Sequence, residues 1–133
     1  MRPPPAIILF IFFILMYSES PAQPASPDCR SFRTGNFLFT DSAGIPWELK
    51  RTKHRQAERN KSNGTVIKFK INWFNDCEYR LTQTWSNDRV HRKWNREHFS
   101  YRIISTTEQS YSCNCLCKNG PVLPGGTVVR AGY

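Results

Sequence analysis

With 133 residues, the chain has room for one core and little more, which excludes a multidomain machine. Nineteen Lys and Arg against ten Asp and Glu leave a net charge of +9. Such a field attracts anionic partners such as nucleic acid, acidic polysaccharide or lipid surfaces, or simply keeps a small domain soluble. Five cysteines, Cys29, Cys77, Cys113, Cys115 and Cys117, are an odd number, so at least one is a thiol, a metal ligand or a link to another chain.

Arg2, three prolines and the apolar run AIILFIFFILMY are followed by SESPAQPAS, where Ser20 and Ala22 stand three and one positions before a cut. A basic start, an apolar stretch of roughly 7–15 residues and a small-residue exit describe a signal peptide over residues 1–22. The run is well short of the about 20 residues that cross a bilayer, so no transmembrane segment is expected in the mature chain. Its removal takes away one base, Arg2, and one acid, Glu19, and keeps the basic excess. The expected location is secreted or periplasmic, where disulfides persist and supplement a small core. Residues 23–31, QPASPDCRS, read as a Pro- and Ser-containing tether, and residues 32–133 as a single β-rich domain.

Phe37 and Phe39 in GNFLFTD, then Trp47 and Leu49 in IPWELKR, alternate as the inward positions of strands do. RTKHRQAERNKSNGT is polar throughout, and its SNG is a turn signal because Asn and Gly accept positive φ cheaply. TVIKFKINWF is the clearest strand: Ile67, Phe69, Ile71 and Trp73 share one face, Lys68, Lys70 and Asn72 the other. A reversal at Asn75 and Asp76 leads into Cys77, Tyr79 and Leu81 alternating with Glu78, Arg80 and Thr82, so the two runs form a hairpin. SNDR marks another turn, and RVHRKWNREH fits a short helix or a charged loop. Phe99, Tyr101 and Ile103 alternate, as do Tyr111, Cys113, Cys115 and Cys117, before KNGP and PGG break the pattern. TVVRAGY ends the chain as a further strand or a frayed tail. About six to eight short strands with regular turn signals predict an all-β fold, a small antiparallel barrel or half-barrel.

In that hairpin Trp73 and Tyr79 face inward near the corner with Cys77 between them, and Cys29, just before the first strand, is the expected disulfide partner of Cys77. The bridge encloses 48 residues, a loop worth roughly 2–4 kcal/mol by chain entropy. WFNDCEYRLT is preceded by a Cys before a TG-x-F strand (Cys29, Phe32, Thr34, Gly35, Phe37) and by an Arg followed by Gln-x-Glu (Arg51, Gln56, Glu58). Over residues 29–82 the chain thereby resembles a family of small exported bacterial β-rich proteins with a Trp-x-x-Asp-Cys-Glu-Tyr-x-Leu core. The resemblance implies a bacterial exported domain with no assigned activity or ligand. The topoisomerase IV label carried by some members does not suit an exported domain this small without strand-cleaving apparatus.

CNCLC places three sulfurs on one strand face, about 7 Å apart. Soft thiolates bind Cu(I) or Zn(II), but zinc sites favour Cys-x2–4-Cys spacing, so a disulfide plus a spare thiol is expected and no cofactor. Asn60 in NKS and Asn63 in NGT are formal glycosylation acceptors that matter only in a eukaryotic host. Lys50, Arg51, Lys53 and Arg55, with Arg89, Arg92, Lys93 and Arg96, form two basic segments that suit an anionic polymer, with Trp85, Trp94 or Tyr101 available to stack on bases. His54 and His98, with Lys50 or Lys93, are the residues a secreted ribonuclease-like enzyme would use, although nothing in their spacing selects them. A barrel of this size also holds one hydrophobic molecule or is filled by its own aromatics, and for so short a domain filling is expected. The sequence therefore points to a monomeric, basic, exported binding or structural protein of the envelope or extracellular space, with no catalysis; the alternative is a polyanion- or nucleic-acid-binding protein, with or without nuclease activity.

Overall fold

The protein's structure, a computed structural model, describes residues 21–22, 25–116 and 123–132. The expected signal segment, except its last two residues, lies outside them, as does Cys117. Eight strands follow one another in a meander: β1 (Gly35–Thr40), β2 (Pro46–Arg51), β3 (Arg55–Asn60), β4 (Val66–Trp73), β5 (Glu78–Ser86), β6 (His98–Thr106), β7 (Ser110–Cys115) and β8 (Leu123–Arg130). Each is antiparallel to the next, and β8 returns to β1 through Phe37↔Arg130 and Leu38↔Val129, closing the barrel. Closure removes the half-barrel alternative and, among the described residues, leaves no strand without a neighbour on both sides.

The period of two that marks β4 is the barrel's inside–outside alternation. Ile67, Phe69 and Ile71 are buried, while Lys68, Lys70 and Asn72 are exposed. Opposite them, Thr84 is a β-bulge: Lys68 pairs with Trp85 and Phe69 with Gln83, so Thr84 and Trp85 both escape the core. β3 lies within the stretch that reads as uniformly polar. Its alternation is nonetheless real, because Gln56 and Asn60 are buried and Arg55 and Arg59 exposed. Pairing with β2 and β4 satisfies its backbone, and the neighbouring strands supply the apolar surface it lacks.

Turns are held by short side chains. The Asp41 carboxylate accepts from the Ala43 and Ile45 amides and from the Trp47 indole at 3.0 Å, which orients that buried ring. The Asn60 amide oxygen accepts from the Ser62 and Asn63 amides, and its side chain is buried in the turn, so it is not available to a glycan. At the β7–β8 pair a side chain on Gly125 would meet Cys113 Sγ at 3.0 Å and its carbonyl oxygen at 3.1 Å, so only glycine permits that approach.

Odd-numbered strands run from a lower end, holding the N-terminal segment, toward an upper end. The lower end is closed by a 3-10 turn, Arg30–Phe32, which begins directly after Cys29. Cys29 is bonded to Cys77, Cα atoms 5.1 Å apart, as the sequence suggests. Phe32 is fully buried edge-on against Tyr111, and the Arg130 guanidinium covers its ring at 4.3 Å. The Asp28 amide donates to Thr106 Oγ1 at 2.8 Å. The last residues assigned to the tether, Asp28 to Ser31, therefore belong with Phe32 to the barrel's plug, Cys29 buried and Asp28, Arg30 and Ser31 on its outer side. Beside it Trp73 and Tyr79 pair across the hairpin, ring centroids 4.7 Å apart.

Candidate functional site

Inside the barrel the side chains divide into a sealed polar cluster below and an open space above. Arg51 sits at the centre of the cluster, 2% exposed. Its Nε donates to Gln56 Oε1 at 2.7 Å, Nη1 to the Phe32 carbonyl at 3.0 Å, and Nη2 to the Tyr111 and Tyr79 hydroxyls at 2.9 and 3.5 Å. Rings of Phe37, Trp73, Tyr79 and Tyr111 surround the guanidinium within 6 Å of its central carbon. Burial raises the titration of both tyrosines, so they remain neutral hydroxyls.

The cluster extends upward by one link. Gln56 Nε2 donates to Glu58 Oε1 at 2.7 Å, and Glu58 lines a cavity of about 260 Å³ with Ile67, Phe69, Gln83, Leu81, Phe99 and Tyr101. Burial pushes the Glu58 carboxyl up to about 7, against the opposing pull of the Gln56 amide and the Arg51 charge. Tyr101 is raised as well, by burial first and by the Glu58 carboxylate second. The expectation that aromatics fill the barrel does not hold in its upper half: Phe69 and Phe99 meet edge to face at 6.4 Å and leave the space beside them open.

Over the upper mouth lies the connection from β5 to β6, with a 3-10 turn at His91–Trp94. The ambiguous RVHRKWNREH segment is thus a lid. Gln83, buried and inward-facing, holds it: Nε2 donates to the His91 carbonyl at 2.7 Å and to Asn95 Oδ1 at 3.0 Å. Asp88 accepts from the His91 amide and ring, and the ring stands edge-on to Trp47. His91 and Trp94 complete the cavity wall, with Trp94 45% exposed.

The eight basic residues expected to meet a polyanion are not one site. Arg51 is a correction: in PWELKR it shares the inward face with Trp47 and Leu49 and is spent on the buried cluster. Lys53 belongs to the lower β2–β3 turn, whereas Arg89, Arg92, Lys93 and Arg96 belong to the lid connection at the opposite end of the strands. Only Lys50 and Arg55 of the eight line a groove of about 680 Å³ on the outer wall, joined there by Lys68, Lys70 and His54. Sequence reasoning had Lys68 and Lys70 on the outward face but did not connect them to this patch.

The histidine pair also fails to converge. The register runs from Arg55, beside His54, through Lys70 and Thr82 to His98. That is three strand steps of about 4.8 Å around the wall, too far to share one phosphate. His98 Nδ1 is instead hydrogen-bonded to Thr82 Oγ1 at 2.9 Å. Cys113 is a buried thiol, pushed up to about 11 by burial, with its sulfur 3.8 Å from the Gly126 carbonyl oxygen. Among the described residues no three of His, Cys, Asp and Glu are grouped to hold a metal ion, and no helix is long and apolar enough to cross a membrane. The chain matches no family model, no curated protein and no solved structure.

Proposed function

We propose that this is an exported binding protein whose barrel encloses one small, largely apolar molecule. The observation that carries this is the cavity under the lid. Ile67, Phe69, Leu81 and Phe99 form its apolar wall, Glu58, Gln83 and Tyr101 bring polar groups from three strands, and His91 and Trp94 stand on the lid side, the pattern of a site that buries an apolar body and orients it by a few polar contacts. At about 30 Å³ per water the space equals roughly nine waters, which suits an organic molecule of about ten non-hydrogen atoms. The disulfide-tied plug accords with an oxidising compartment.

Indole serves as a probe of the right size. Titrated against the protein, it is expected to shift the backbone amide resonances of Leu81, Gln83 and Tyr101. Leu81→Trp, which fills the space from β5, should weaken binding at least tenfold while the fold's dispersion of resonances is retained. Indole, toluene and cyclohexane all leaving those amides unmoved would remove the proposal.

A second reading rests on the outer wall. Lys50, Ala57, Lys68 and Trp85 form one row across four strands, and Arg55 and Lys70 pair in the next. Among the described residues no carboxylate lines the groove, and none of these four cations joins an ion pair. The Lys68 ammonium lies 4.9 Å from the centre of the half-exposed Trp85 ring, so charge and a stacking face adjoin as single-stranded nucleic acid requires. Lys68→Ala with Lys70→Ala should lower the slope of log affinity for a thymidine oligonucleotide against log salt by about 1.4. An unchanged slope would place any polyanion binding elsewhere.

A further inference from the structure

We infer that the molecule taken by the cavity is a small primary amine in its protonated form, its ammonium seated against Glu58 and its apolar body against Ile67, Phe69, Leu81 and Phe99. This rests on the cavity being a binding site and names the class of its ligand. Among the described residues Glu58 is the sole acid in the cavity wall. It is held from below by the Gln56 amide through one oxygen, and a carboxylate has lone pairs for further donors. Phe69, Phe99, Tyr101 and Trp94 line the same space, and aromatic faces attract cations. A carboxylate ligand would have to share the cavity with Glu58 at the cost of like-charge repulsion.

Arg51 on β2 approaches Glu58 through Gln56, but its donors are already committed to Gln56, Phe32, Tyr79 and Tyr111. Tyr101 on β6 faces Glu58 and is in turn flanked by Cys113 and Cys115 on β7. His91 faces the cavity from the lid, and β4 and β5 contribute only Ile67, Phe69, Leu81 and Gln83. With the Glu58 carboxyl protonated, the described residues of the interior therefore carry the single charge of Arg51. An ammonium entering as that proton leaves keeps the total the same. Binding exchanges one positive charge for another, so the low-dielectric interior gains no net charge, which is what makes an amine admissible beside a buried arginine.

Phenethylamine and its neutral isostere 2-phenylethanol test this, each with nine non-hydrogen atoms and each titrated calorimetrically against the mature protein. The amine is expected to bind at least tenfold more tightly at pH 8. At pH 6 it should release roughly 0.9 proton, read from buffers of different ionisation enthalpy, because Glu58 titrates at about 7. The alcohol should release none. Amine affinity should rise up to about tenfold per pH unit below 7, while the ligand, an aliphatic amine with a pKa of about 10, stays charged throughout. Glu58→Gln should cost the amine at least thirtyfold, leave the alcohol within threefold, and abolish the pH dependence.

Equal binding of amine and alcohol by the unaltered protein, or a pH dependence that survives in Glu58→Gln, would overturn the amine assignment and leave the cavity as an apolar site. If neither compound binds, the amine assignment fails, and the indole, toluene and cyclohexane titrations decide the cavity proposal separately. The pH series on the unaltered protein decides the matter even where the variant does not fold.

Discussion

Replacing Arg51 by methionine is expected to destabilise the fold by about 3 kcal/mol, the cost of leaving two buried acceptors without donors at about 1–3 kcal/mol each. The acceptors are the Phe32 carbonyl and Gln56 Oε1. The Tyr79 and Tyr111 hydroxyls are spared, because they lie 3.4 Å apart and can bond each other. Methionine fills much of the arginine's volume, so the loss reports the hydrogen bonds more than a cavity. At an m-value of roughly 1.5 kcal/mol/M the urea midpoint should fall by about 2 M with its slope unchanged. Arg51→Lys should recover less than half of this, since an ammonium is a point donor that cannot fork toward four acceptors around it. A midpoint unmoved by Arg51→Met would mean that the guanidinium is a tolerated guest and not the organising centre of the lower barrel.

Cys29→Ser with Cys77→Ser should cost about 2–4 kcal/mol, the chain-entropy value for a 48-residue loop. At about 4–8 °C per kcal/mol for a domain of this size, melting should fall by roughly 8–32 °C, and reductant should do the same to the parent protein. The loss has a local signature as well. Without the bridge, the turn carrying Phe32 keeps its packing and the Arg51 bond to the Phe32 carbonyl, but its outer side is held by exposed contacts, those of Arg30 and Arg33 with Asp76, of Arg130 with Ser31 and of the Asp28 amide with Thr106. Exposed ion pairs of this kind contribute little, so trypsin should cut at Arg30 and Arg33 well before the barrel unfolds. Cleavage spread evenly over the chain would show that the plug and the barrel unfold together.

The parts of the fold that are legible in the sequence are those where the two faces of a strand differ in kind. Ile67, Phe69 and Ile71 against Lys68 and Lys70 leave no alternative to a strand with one wet face, and the Trp73–Tyr79 hairpin with its sulfur follows from the same contrast. β3 lacks it, because the barrel's inside is itself polar at Gln56, Glu58 and Asn60. Arg51 was nevertheless within reach: the alternation of Trp47 and Leu49 continues to it, and basic character argued it outward only because charge is ordinarily on the surface. Arg51, Gln56 and Glu58, which carry the Arg and Gln-x-Glu part of the resemblance, are the three side chains joined in series inside the barrel. The cavity was not legible, since the space left over depends on strand tilt and stagger, which set the bore of a barrel independently of any single residue. The outer groove was half legible: Lys50 and Arg55 lie on the wall, but their nearest companions across it come from β4, not from the lid segment with which they share a charge pattern.

The wall is joined where β1 meets β8, and that junction links the first strand of the domain to the last. Every other pairing is between consecutive strands and forms locally. This one waits until nearly the whole domain has emerged during synthesis, because the two partners are separated by almost its full length. Until then Phe37 and the cavity-facing side chains have no complete enclosure. A truncation that removes β8 should thus leave an adhesive, open sheet, and amides of Leu38 and Val129 should exchange their hydrogens ahead of those in β4 and β5.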